Sequence, residues 1–263
     1  KNFIFDKLGV MQGRLLPKYN GQYQSHPPHT WQNEFFLAKK LNLKHIEFIF
    51  DSYSPTHLNP LFNVEGLKLI KNLIKKNKIK VENICADYFM SNPLFLTKEQ
   101  SKFNYHTLKS LIINSKKIGV KNIILPCVDQ SSLNERYKKY NFLKFIQKFD
   151  SILEKQKIYL SLETDLPPKE FKKLIDSIDN PWVKINYDSG NSVSLGFNID
   201  DEFEHYGDYI SSVHIKDRKL NGPSVILGKG ELNLKKLILN LKKINYRGIY
   251  TMQVYRDNEG YSI

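Results

Sequence analysis

The sequence predicts an α/β fold: a (β/α)8 barrel, one domain over residues 1–263, with its eighth helix short or missing. Three observations lead there. Short apolar runs alternate with longer amphipathic ones along the chain, eight of the first kind with seven of the second between them. Such alternation makes right-handed βαβ crossovers and a parallel sheet. The short runs are near-continuous in hydrophobicity and rich in Ile, Val, Tyr and Phe, as strands buried on both faces must be. No glycine-rich phosphate or dinucleotide loop follows any of them, and "GKG" at 228–230 is too short to be one, so an open doubly wound sheet has less support.

Taken in order, the first strand is expected at "KLGVMQ" (7–12), followed by a helix in "TWQNEFFLAKKLN" with Thr30 as N-cap and Glu34 just inside. The second strand is "HIEFIF" (45–50), and "NVEGLKLIKNLIKKN" follows it with Leu67, Ile70 and Ile74 at helical spacing. After "KVENICAD" (80–87), a helix opens at Thr97 with Gln100 three residues on, a capping box, and stops at Gly119. "NIILPCV" (122–128) precedes the helical stretch "LNERYKKYNFLKFIQKFDSILEKQ". "IYLSLET" (158–164) precedes "PKEFKKLIDSI", "VKINYD" (183–188) precedes a short "DDEFEHYG", and "ISSVHIK" (210–216) precedes "NLKKLILNLKKIN". "IYTMQVY" (249–255) is the eighth strand.

Composition narrows the function classes. A chain of 263 residues with 41% hydrophobic content can bury one large core. No apolar run approaches the ~18 to 20 residues that span a bilayer, and the opening "KNFIFDKLGV" lacks the apolar region and small-residue cleavage site of a secretory leader. It also lacks an initiator Met, so the chain as read is expected to be trimmed. Cys85 and Cys127 sit far apart inside apolar runs, which points to a cytoplasmic protein with buried, reduced thiols. The formal charge is +13, but the excess is lysine spread over helix-like segments, with no compact basic block and no aromatic-basic signature. Solvated helix faces account for it, and neither nucleic acid nor membrane is an expected partner.

In a barrel, the C-terminal strand ends point into one mouth. Glu47 lies in the second strand, Asp87 ends the third, Glu163 the fifth and Asp188 the sixth, with Asn191 just after; His214, Lys216 and Arg218 end the seventh, and Gln253 lies in the eighth. Charged groups at the end of a buried strand are costly unless paired, hydrated or bound to metal. Glu163, Asp188 and His214, on three consecutive strands, form an O,O,N set suited to Mn, Mg, Co or Zn as the divalent ion. Lys216 and Arg218 are placed to meet substrate hydroxyls, a carboxylate or a phosphate, or else to pair with Asp217 at the surface; Arg14, just after the first strand, can face the same mouth. His26 and His29, in "SHPPHTW", read as ordinary packing rather than as a lid.

"LGVMQGRL", "HIEFIF", "LSLETD", "NYDSGN", "VHIKDR" and "LGKGELNLKKLILNLKKINYRGIY", in that order over nearly the whole chain, resemble the xylose isomerase-like TIM-barrel proteins. That group holds sugar and sugar-phosphate isomerases and epimerases and also endonuclease IV. The resemblance implies metal ligands Glu, Asp, His and Glu from the last four strands, which fall here on Glu163, Asp188, His214 and Gln253. It also often places a His where this chain has Asn191. In the family's ketose epimerases two glutamates move the proton next to the carbonyl, one on each face, while the metal acts as a Lewis acid. A glutamine cannot be the second base, although its carbonyl oxygen can still ligate a metal.

The resemblance therefore implies an enzyme, a metal-dependent isomerase or epimerase of a sugar or sugar phosphate working through an enediolate. Glu163 is its base, Lys216 stands at the reacting centre, and Arg14, Glu47, Asp87, Asn191, Lys216 and Arg218 hold the substrate. Glu47 or Asp87 can supply the opposite face. The alternatives are a sugar-binding barrel without turnover and a metal-dependent lyase or dehydratase of a hydroxy acid. An endonuclease would need ligands for three zinc ions, largely His, and only seven His are present, most of them away from strand ends. Barrels of this kind often pair, so a homodimer is allowed for.

Overall fold

The computed structural model describes residues 5–95 and 98–256. Eight parallel strands close a barrel in the order β1-β8-β7-β6-β5-β4-β3-β2. They are β1 (Leu8–Met11), β2 (His45–Ile49), β3 (Asn83–Cys85), β4 (Asn122–Cys127), β5 (Tyr159–Thr164), β6 (Val183–Asp188), β7 (Ile210–Ile215) and β8 (Tyr250–Met252). Each falls inside its predicted run. Leu8, Gly9 and Val10 of β1 pair with Tyr250, Thr251 and Met252 of β8, closing the sheet. Beyond β7, Asp217–Arg218 and Ser224–Val225 form a small antiparallel pair. Among the described residues no helix is long and apolar enough to cross a membrane.

The helices form the outer layer. Val64–Asn77 is capped by Asn63, whose side chain accepts from the Gly66 amide at 2.6 Å, and Leu67 and Ile70 are buried beneath it. Pro168–Ile178, Ile199–Tyr206 and Leu234–Lys243 lie where the periodicity predicts. Two expectations need correction. The first helix begins at Asn33, not after a Thr30 cap, because Glu34 turns inward to serve the loop after β1. The long segment after β4 is not one helix: Arg136–Ile146 and Asp150–Gln156 are separated by a 3-10 turn at Gln147–Phe149, where Phe149 is sunk into the core. Thr97, which opens the expected capping box, and residues 257–263, where the eighth helix is expected to be short or missing, lie outside the described residues.

Two packing regions result. Between strands and helices runs the main core, built from residues such as Phe35, Phe48, Ile123, Leu160, Ile185 and Leu237. Inside the barrel Met11, Ile49, Cys85 and Ile124, from β1 to β4, make a small apolar plug. The other half of the interior is polar. Ser161, Asn186, Ser212 and Thr251 are each at most 1% exposed. Each stands two residues before Glu163, Asp188, His214 or Gln253, so strand alternation aims both members of every pair inward.

Candidate active site

The polar half opens at the C-terminal mouth into a cleft of about 500 Å³, lined by Arg14, Asp87, Glu163, Asn191, Lys216, Arg218 and Gln253 among others. That volume suits a small metabolite. Seven of the predicted site residues thus meet there. Asp188 and His214 do not line the cleft themselves; they are 5% and 0% exposed, behind the lining residues Glu163 and Lys216.

Glu163, Asp188 and His214 offer ligand atoms all within 4.8 Å of one another, the one such His/Cys/Asp/Glu group among the described residues. The imidazole Nδ1 lies 3.4 Å from Glu163 Oε2 and 3.9 Å from Asp188 Oδ2. Its Nε2 is 2.7 Å from Glu47 Oε1. Burial alone would drive His214 toward neutrality, but Glu47, Asp188 and Glu163 outweigh it and hold its proton affinity well above the imidazole range. Three carboxylates around one buried ring demand a positive charge, either a proton or a cation. Burial also works against ionised Asp188, yet Lys216 and His214 overcome it and keep the acid below the ordinary carboxylate range. Asp188 Oδ1 is taken by the Gly190 and Asn191 amides, both at 2.8 Å, where it caps the short helix Ser189–Ser194. Its Oδ2 faces Lys216 Nζ and the imidazole instead.

Glu47 does not reach the cleft, which corrects its expected substrate-binding role. It is the third residue of β2, 1% exposed, with Oε1 on His214 and Oε2 accepting from Asn83 at 3.1 Å and Thr251 at 2.8 Å. It underpins the imidazole, as carboxylates commonly do behind metal-binding histidines. Asp87 does line the cleft; it accepts from Gln24 Nε2 at 2.6 Å and from the Cys85 thiol at 3.1 Å, and burial raises its pKa.

Asn191 gives Nδ2 to Glu163 Oε1 at 2.7 Å, while its Oδ1 accepts from Arg218 Nη1 at 3.1 Å and Lys216 Nζ at 3.4 Å. Lys216 Nζ also lies 3.5 Å from Asp188 Oδ2. Lys216 and Arg218 therefore face the site. Asp217, between them, points the other way: its carboxylate accepts from the Gly228, Gly230 and Leu232 amides at 2.9, 2.9 and 3.0 Å. A Cβ on Gly230 would fall 2.1 Å from Asp217 Oδ1, which is why "GKG" needs its second glycine. The proposed surface pairing with Asp217 is thereby ruled out.

Several residues escape sequence reasoning. Asn186 Nδ2 donates to Glu163 Oε2 at 2.7 Å, and Ser212 Oγ fixes the other end of that amide at 2.7 Å. Strand period alone could have flagged both. Gln24 and the loop after β1 carry no such signal. Glu34, 1% exposed, accepts from Gly13 N at 2.7 Å and Leu15 N at 3.3 Å, and burial raises its pKa to about 7. Arg14 Nε reaches Val254 O at 3.1 Å, and Arg256 returns the contact with Nη1 on Gly13 O at 2.6 Å and Nη2 on Leu16 O. The first and last strands are clasped at the mouth by these reciprocal arginines. His26 is packing, as expected: 1% exposed, bonded through Nδ1 to Gln12 Oε1 at 2.9 Å, and neutral, its pKa lowered to about 4 by burial.

The residues fit a divalent cation. Besides the three clustered ligands, Gln253, just after β8, is 6% exposed and holds a buried carbonyl oxygen, Oε1, with no hydrogen-bond partner. A buried acceptor without a donor costs roughly 1–3 kcal/mol unless something positive meets it.

Comparison with known proteins agrees with the barrel fold. The profile of a family described as xylose isomerase-like TIM barrel matches residues 35–262. A Haemophilus influenzae protein provisionally named L-ribulose-5-phosphate 3-epimerase is 25% identical over 246 residues, 87% of this chain and 85% of that one. The crystal structure of a D-psicose 3-epimerase, determined in the presence of D-fructose, matches with a TM-score of 0.76 at 15% identity, covering 97% of this chain and 86% of its own. The IOLI protein with a bound zinc atom matches with a TM-score of 0.72 at 17% identity, covering 95% and 89%. At those identities the two structures speak for the fold.

Proposed function

This chain belongs to the xylose isomerase-like TIM-barrel family, and from that premise we propose that it is a divalent-metal-dependent isomerase or epimerase of a sugar or sugar phosphate, with Glu163 as base. Two relatives carry epimerase names, one provisionally for L-ribulose 5-phosphate and one for 2-epi-5-epi-valiolone 7-phosphate, which supports the isomerase class, and a small sugar is the partner that fits the cleft.

One observation carries the reading: Glu163, Asp188 and His214 converge beside the mouth cleft, and Gln253, just past the next strand, has an unpartnered oxygen. Glu163, Asp188, His214 through Nδ1, and Gln253 through Oε1 would hold the cation. When bound, it supplies Lewis-acid stabilisation of negative charge on a substrate oxygen. The protein supplies the rest. Glu163, oriented by Asn186 and Asn191, takes the proton beside the carbonyl. Lys216 and Arg218, both gathered on Asn191, bind substrate oxygens or a phosphate. Of Glu47 and Asp87, only Asp87 lines the cleft, and it is the one placed to serve the opposite face. Where the reaction is an aldose–ketose isomerisation, Glu163 alone suffices.

Metal analysis of the purified protein and solvent deuterium exchange into L-ribulose 5-phosphate, D-psicose and D-fructose test the reading. Bound divalent ion with deuterium incorporation at a carbon beside the carbonyl is expected. Gln253, in place of a second glutamate, favours one other reading, a barrel that binds sugar without turnover. Tight sugar binding with no exchange would favour it.

A further inference from the structure

We infer that Gln24, in the loop after β1, is a positioning residue that fixes which end of the Gln253 amide faces the cation site; the inference rests on the metal-dependent reading above. An amide can present either oxygen or nitrogen, and only its surroundings decide. Here they decide in sequence. Arg14 has donors only, and its Nη2 lies 2.9 Å from Gln24 Oε1. The other end of Gln24, Nε2, donates to Asp87 Oδ2 at 2.6 Å. Turning Gln24 over would set nitrogen against the guanidinium and oxygen against the carboxylate, so its oxygen is held toward Arg14. That same oxygen accepts from Gln253 Nε2 at 2.8 Å. The Gln253 nitrogen is thus committed, and the carbonyl oxygen is the end left buried without a partner.

The consequence is a neutral fourth ligand held ready. Two carboxylates, an imidazole and an amide oxygen balance one divalent charge. A carboxylate at Gln253 would not slot in: one of its oxygens would face Gln24 Oε1, and Gln24 could relieve the clash only by giving up both Arg14 and Asp87. The amide at position 253 and the amide at position 24 form a matched pair.

The test is the affinity for Mn²⁺, measured by titration calorimetry on the purified full chain and four variants, with circular dichroism to confirm folding. Gln24→Ala should weaken binding by about 10-fold or more, the usual cost of losing a group that orients a ligand. Gln253→Ala should do at least as much, and the Gln24→Ala/Gln253→Ala double variant should be no weaker than Gln253→Ala alone, since Gln24 acts only through Gln253. Gln24→Glu combined with Asp87→Asn keeps every donor opposite an acceptor and should retain affinity near that of the unmodified chain, which also serves should Gln24→Ala fail to fold. An unchanged affinity in Gln24→Ala, or additive losses in the double variant, would overturn the inference alone. No Mn²⁺ binding by the unmodified chain would overturn the metal-dependent reading and this inference together.

Discussion

The barrel has a cavity at each mouth, and the two are close in size: about 500 Å³ at the C-terminal end and about 420 Å³ at the N-terminal end. Both are lined by charged and polar groups. The N-terminal one has Lys7, Glu82, Lys121, Lys184 and Arg247 around a floor of Asn122 and Ser211. Its charges stay near water; Lys121 is 68% exposed where it meets Glu82 at 2.7 Å, and such pairs contribute little. At the C-terminal mouth the charges are sunk. His214 is fully buried against Glu47, and Asp188, 5% exposed, is approached by Lys216 and His214 together. Volume does not separate the two ends. What separates them is whether each charge can be satisfied by solvent or must be satisfied by another group on the protein.

The largest expected effect that could break this contrast lies at Glu163. Glu163→Gln should slow solvent exchange into a sugar substrate by ~10²- to 10⁴-fold, the usual contribution of a proton-transfer group, as read by mass or NMR. Asp188→Ala should cost on the order of 100-fold in Mn²⁺ affinity by calorimetry, at the upper end of what outer ligand partners cost, because a direct ligand is removed. Retained affinity would mean the sunk charges serve only each other.

A smaller effect sharpens the contrast energetically. Burial raises Glu34 from 4.5 to about 7. The folded chain then keeps a proton that the unfolded chain releases, so this contribution to stability is fully present below about pH 4.5 and is lost as pH rises through about 7. Glu34→Gln has no proton to lose and should gain on the unmodified protein by roughly 5 °C in melting temperature between pH 5 and pH 8. Parallel melting curves at both pH values would show that a charge buried behind this mouth carries no penalty. The smallest effect is expected at the other end: Lys184→Ala should leave Mn²⁺ affinity and exchange rate within about twofold, as surface changes usually do. A loss matching that of Asp188→Ala would erase the distinction between the mouths.

Much of this was legible beforehand, and the reasons are specific. The strands could be read because Ile, Val, Phe and Tyr runs buried on two faces have few other uses. Glu163 and His214 were legible because each is the fifth of six residues in its strand, at the rim. Glu47 is harder to place from sequence because it is the third of five, one layer deeper, and the pairing of Met11 with Glu47 sets that depth. Asn186 could have been found from its place two residues before Asp188. Gln24 could not: its partners Arg14, Asp87 and Gln253 come from three separate stretches of chain, and no local pattern records such meetings.

The arginine clasp has a consequence for how the molecule is made. Arg14 waits for the carbonyl of Val254, and Arg256 brings the hydrogen-bond donors that hold Gly13 and Leu16. A contact between residues 240 positions apart must wait until both partners have been made and a long loop has closed. A nascent chain still short of Val254 has already synthesised Glu163, Asp188 and His214 but cannot lock the loop bearing Gln24 over them. The loop bearing Gln24 is therefore secured only once Val254 and Arg256 are in place.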